Sequence, residues 1–211
     1  MMTDRKSPAH RAATLISVLF HPVFMPLYGL LIIYSTPTLL SYIPFNMKRA
    51  IFIMVTANNI ILPLSVTSIL YSRGIIKSIY ADEPRERVIL LSFALLMYTV
   101  TALLLIKVPV PTLFKAYFVS IAVVTLVSLI ITGFYRLSLH AVGAGGLLAL
   151  TGFMTIQFDV VSLAHVVILL LATGAVLTAR LDLEKHKPAE VWLGLLTGTA
   201  VGWLTLYFLL G

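Results

Sequence analysis

The sequence predicts an all-α fold, a polytopic transmembrane helix bundle of about seven spans. Three observations predict it. Only 11% of the 211 residues are charged, against roughly 25% in ordinary soluble domains. Mean hydropathy is +1.03. The apolar residues fall into seven runs, at about 14–35, 50–71, 88–106, 116–135, 141–156, 160–179 and 189–210. A hydrocarbon core ~30 Å thick takes about 20 helical residues to cross. Barrel strands alternate apolar and polar residues, whereas these runs are apolar on every face, so the spans are helices.

Taken in order, each run has its own features. The first carries His21, Pro22 and Pro26. It is too long for a cleavable signal, and these residues read as a kink near the bilayer interface rather than a site. The second contains Asn58, Asn59 and Pro63, read as hydrogen-bonding between helices. The fifth is short, with Gly143, Gly145 and Gly146 suited to close helix packing. If it does not cross, the count falls to six. His165 in the sixth run reads as an interhelical hydrogen bond. Trp192, Trp203 and the tyrosines near span ends read as interface anchors. Residues 1–72 form an N-terminal two-helix segment, and 73–211 a second unit.

Polar residues gather in four segments: Asp4–Arg11, Arg73–Arg87, Arg136–His140 and Arg180–Glu190. Two spans separate each from the next. An even number of crossings returns the chain to the same face, so all four lie on one side of the membrane. That side carries eleven of the fifteen lysines and arginines. The positive-inside rule then puts it in the cytoplasm, as in a bacterial cytoplasmic membrane. The net charge of +7 belongs beside anionic headgroups rather than on nucleic acid. The absence of cysteine excludes disulfides, thiolate catalysis and zinc–thiolate sites.

Three of these segments hold residues suited to chemistry. Arg180, five residues, His186, three residues, Glu190 joins a planar phosphate-binding fork, an imidazole and a carboxylate that can fix its tautomer. A charged loop snorkelling at headgroup level fits the same pattern. Ser138 and His140 sit at the start of a helix, where free backbone donors favour an anion. Taken alone, the pair reads rather as a helix cap and an interface histidine. Lys77, Arg85 and Arg87 suit a phosphate in its transition state. They also suit ordinary positive-inside decoration paired with Asp82, Glu83 and Glu86.

In order and content the three segments resemble the signature motifs of the phosphatidic acid phosphatase type 2 superfamily. Those motifs read Lys–x6–Arg–Pro, then Pro–Ser–Gly–His, then Ser–Arg–x5–His–x3–Asp. Here the third is Ala179-Arg180–x5–His186–x3–Glu190, and the second is Leu137-Ser138-Leu139-His140. In the first, Val88 follows Arg87, Tyr80 stands seven before it, and Lys77 ten before it. The resemblance covers roughly residues 73–202. It implies a metal-free, cofactor-free hydrolase acting on a lipid phosphate or polyprenyl diphosphate. His186 would attack phosphorus, Glu190 would orient it, and His140 would protonate the leaving oxygen. Arg180, Arg87 or Arg85, Ser138 and Lys77 would hold the phosphoryl oxygens. Partners are then the lipid phosphate and the bilayer, with no nucleic acid.

Two other classes compete. An inactive lipid-binding or transporter-like protein would show charge and broken helices near midspan. A metal-dependent headgroup transferase would need several carboxylates facing one metal. The eight acidic residues show no such clustering.

Overall fold

A computed structural model describes residues 7–36, 43–78, 83–159 and 163–211. Asp4, Arg5, Lys6, Tyr80, Asp82 and positions 160–162 lie outside the described residues. Among those described, every regular element is helical. In chain order they are α1 (Pro8–Leu19), α2 (Met25–Ser35), α3 (Phe45–Thr56), α4 (Leu62–Ser72), α5 (Pro84–Lys107), α6 (Thr112–Thr132), α7 (Leu139–Phe158), α8 (Leu163–Asp182) and α9 (Pro188–Leu210). They make seven stretches long and apolar enough to cross a membrane. The chain is an all-α polytopic bundle and an integral membrane protein.

Two of the seven stretches are composite. The first joins α1 to α2 through a 3-10 turn at Pro22–Phe24. Pro22 and Pro26 each lack a donor, so a continuous α-helix would lose bonds there. Both fall in the first turn of a new segment, where the missing donor costs little. The second joins α3 to α4 through a π-turn at Ala57–Ile61. That wider turn ends two residues before Pro63 and carries Asn58 and Asn59. Asn58 Nδ2 donates to Met97 O at 2.8 Å and to Thr101 Oγ1 at 2.6 Å. Thr101 Oγ1 donates to Asn59 Oδ1 at 2.7 Å. The expected interhelical bonding is therefore present, between the second and third spans.

Helix starts follow the sequence. Ser7 caps α1 by accepting from His10 N at 3.2 Å. Pro84 and Pro188 occupy the first turns of α5 and α9, with Glu86 and Glu190 beside them. A carboxylate there meets the positive end of the helix dipole.

The fifth run forms a full 20-residue helix, α7, and it is the centre of the bundle. It packs against α9, α8, α2 and α6. Glycines make this close, but mostly those of α9. A Cβ on Gly198 would collide with Val142 O, and one on Gly194 would sit 2.7 Å from Ser138 O. Gly145 answers from α7, where a Cβ would strike Leu195 O. Gly143 meets only the Met25 side chain, and Gly146 leaves open space. The apolar core collects around the far half of α7. Phe153 and Met154 pack there with Leu30 and Ile33 of α2, Phe114 and Phe118 of α6, and Leu206 of α9.

Candidate active site at the start of the fifth span

The α8–α9 connection is short. Glu184 adopts φ 51°, a left-handed conformation that turns the chain back at once. His186 and Glu190 then fall on the same side of the entry into α9. His186 Nδ1 and Glu190 Oε2 are 2.7 Å apart, and only 6% and 11% of these side chains are exposed. The carboxylate can only accept, so Nδ1 carries the hydrogen and Nε2 presents its lone pair. Burial above all, helped by Arg180 and Arg136 and opposed by Glu190, lowers the His186 pKa to about 4. The ring is neutral near pH 7, the state a nucleophile needs.

The start of α7 meets this pair directly. Ser138 N donates to Glu190 O at 3.2 Å. The close approach is allowed by Gly194, which lies one turn further along α9 beneath the Ser138 carbonyl. Ser138 is 0% exposed. Its hydroxyl makes no cap bond to α7 and no other hydrogen bond. The capping role open to it in the sequence is therefore not filled, and a buried hydroxyl is left without an acceptor or donor. Leaving such a bond unmade costs about 1–3 kcal/mol, and the hydroxyls of Thr56, Ser128, Thr132, Thr151 and Thr173 are left the same way; the place of Ser138 beside Glu190 sets it apart.

His140, in the first turn of α7, is buried and bonds through Nε2 to Ser17 O at 3.0 Å. A carbonyl only accepts, so Nε2 carries a hydrogen. Ser17 also receives Arg180 through its side chain, with NH1 to Oγ at 3.4 Å. Arg180 lies close enough to act electrostatically on His21, His140 and His186 together. Arg136, just before α7, holds Nε 3.9 Å from Glu190 Oε2.

Five of the eight residues singled out in the sequence thus meet at one end of the bundle: His186, Glu190, His140, Arg180 and Ser138. The first segment behaves differently. Lys77 is 79% exposed and pairs with Glu83 Oε1 at 2.9 Å. Its backbone N–H donates to the buried carboxylate of Glu86. Glu83 raises the Lys77 pKa. Lys77 is therefore held within its own loop and not brought to the histidines. Arg85 is exposed, and Arg87 is buried at the foot of α5.

Sequence reading missed three contributors. Arg136 was visible only as loop charge. Ser17 and His21 come from the first span, where His21 does mark the expected kink. Its Nδ1 accepts from Val23 N at 3.3 Å and caps the 3-10 turn. Its ring also stands edge-on to His140, with centroids 5.4 Å apart. No local pattern signals contacts that cross more than a hundred residues.

A phosphoryl group suits this arrangement. An imidazole with a free lone pair, two guanidinium groups and a spare hydroxyl surround one small region. Among the described residues, no three His, Asp or Glu side chains gather as a metal ion requires. No family model matches the chain, and neither a curated protein nor a solved structure matches it.

Proposed function

We propose that this protein is a lipid phosphatase that works through a phosphohistidine at His186. The observation that carries the reading is the buried 2.7 Å bond between His186 and Glu190, set beside Arg180 and Arg136. It gives a neutral nucleophile with a fixed tautomer, next to cations that match a phosphoryl group.

The lone pair of His186 Nε2 attacks phosphorus, and the P–O bond to the lipid oxygen breaks. His140, entering the step as the imidazolium, delivers its Nδ1 proton to that oxygen, giving the lipid alcohol and a phosphohistidine. Because Nε2 of His140 stays on the Ser17 carbonyl, the transferred proton rides on Nδ1. Water then attacks phosphorus and gives its proton to His140. The P–N bond breaks, and inorganic phosphate leaves. Glu190 steadies the positive charge that passes through the His186 ring. Arg180, Arg136 and the Ser138 hydroxyl stabilise the phosphoryl oxygens.

A lipid substrate is supported by the flanks of the site. Phe134 and Tyr135 precede Arg136, and Trp192 follows Glu190; all three are exposed. Aromatic side chains of this kind sit at headgroup level. A phosphate at that height reaches the histidines while its chains remain in the bilayer.

The test is phosphate release from phosphatidate, phosphatidylglycerol phosphate and polyprenyl diphosphate by detergent-purified protein in EDTA. The reading predicts release from at least one substrate, lost in His186→Ala and in His140→Ala. Release that persists in His186→Ala contradicts it.

A further inference from the structure

The sequence places the first span outside the chemistry, yet it meets the site through two atoms and one ring. Ser17 O holds His140, and Ser17 Oγ receives Arg180. Four residues on, His21 sets its ring against His140. These contacts come from a single stretch, the end of α1 and the 3-10 turn, where the helix is broken by Pro22.

The chemistry of His21 follows from its bonds. Val23 N–H donates to Nδ1, so Nδ1 is a bare acceptor and the hydrogen of the neutral ring sits on Nε2. His21 is exposed, whereas its neighbour His140 is buried. The two rings therefore differ in what they offer. His140 has its Nε2–H committed to Ser17, while no described group takes the Nε2–H of His21. This donor belongs to an exposed ring packed on His140 and within the electrostatic reach of Arg180, so it is available to an anion that enters the cluster.

We infer that His21 is a substrate-contacting residue, donating from Nε2–H to an oxygen of the phosphate-bearing headgroup. This rests on the reading of the site as a phosphoryl site. The shared chemistry is a phosphoryl oxygen, which a lipid headgroup and free phosphate both carry.

Three substitutions separate a substrate contact from a structural cap. His21→Gln keeps an N–H near the place of Nε2 but gives up the Nδ1 acceptor. His21→Asn keeps an acceptor for Val23 but loses the distant donor. His21→Phe keeps the ring against His140 and loses both. Binding of a short-chain, non-hydrolysable lipid phosphonate, and separately of inorganic phosphate, is measured on the full chain in detergent. Phosphate release from the lipid panel and thermal melting are recorded alongside.

The expected result is affinity weakened about tenfold in His21→Asn and His21→Phe, as for loss of one hydrogen bond to a charged group, and held within about threefold in His21→Gln. Weakening for both probes assigns the contact to oxygens common to both. Weakening for the lipid probe alone assigns it to the bound headgroup. Either supports the inference. Unchanged affinity in all three variants overturns it, as does a pattern in which Asn behaves as wild type and Gln does not. The second pattern makes His21 a cap only.

The two readings fail separately. A wild-type protein that binds the phosphonate in this pattern but hydrolyses nothing keeps the His21 contact and loses the phosphatase. One that hydrolyses lipid phosphate with affinity indifferent to His21 does the reverse. No binding of either probe by wild type overturns both.

Discussion

Ser138 is the residue whose surroundings say most about use. Its hydroxyl is buried and makes no bond within the protein. Thr56, Ser128, Thr132, Thr151 and Thr173 also hold buried, unbonded hydroxyls, but Ser138 alone of these adjoins Glu190 through its backbone. Ser138→Ala should therefore leave thermal stability unchanged or raise it slightly, while lowering kcat/KM about tenfold through loss of one donor to a phosphoryl oxygen. A drop in melting temperature with intact kinetics would make Ser138 structural. His186 gives a second expectation. Its pKa is lowered from 6.5 to about 4, chiefly by burial. A nucleophile must be unprotonated, so the acid limb of kcat/KM should fall near pH 4 rather than near 6.5. Between those values the unfolded chain binds more protons at this residue than the folded one, so acidification through the same window also destabilises the fold. A limb centred near 6.5 would place His186 in water or outside the rate-determining chemistry. At this scale, much of the site was legible. The spacing of Arg180, His186 and Glu190 puts them on one short connection, and the structure closes the expected pair. Lys77 was not legible, because its choice between a substrate and Glu83 depends on the shape of its loop.

At the scale of elements, α7 and α9 decide whether the site exists. Their contact brings Ser138 to Glu190, and it depends on glycines that admit a backbone where a side chain would stand. Gly198→Ala would drive a Cβ into Val142 O. We expect destabilisation of about 1–3 kcal/mol, as for overpacking, read as a lower melting temperature in detergent with loss of activity. Gly174→Ala on α8 is the control. Its Cβ meets nothing within 4 Å, and replacing a mid-helix glycine gains roughly 0.5–1 kcal/mol. Equal effects from the two would contradict the packing account. The pattern Gly194–x3–Gly198–x3–Gly202 is plain in the sequence and is a known signal of close helix approach. The glycines of the fifth run are as conspicuous, yet a Cβ would meet backbone only at Gly145 among them. Spacing identifies a small-residue face but not the helix it meets.

For the molecule as a whole, hydropathy alone was enough to find seven spans, because lipid forces each backbone to satisfy itself within a helix. The interruptions at Pro22–Phe24 and Ala57–Ile61 were signalled only as prolines and asparagines. Their consequence, a first span whose break feeds Ser17 and His21 into the site, is a tertiary fact. Ser17 and His140 are 123 residues apart in the chain, beyond the reach of any periodicity. Crossing-count logic supplied the coarser truth that segments far apart in sequence share one end of the bundle. It holds for the Arg136–His140 and Arg180–Glu190 segments, which the bond from Ser138 N to Glu190 O joins.

The most direct measurement is to trap the intermediate. Protein in detergent and EDTA is mixed with lipid phosphate labelled at phosphorus, quenched in alkali within a turnover, and digested for mass spectrometry. Phosphohistidine survives alkali where an acyl phosphate does not. The account predicts label on the peptide containing His186, localised to its ring and absent in His186→Ala. Turnover without label on any histidine, or label on His140 in place of His186, would contradict it.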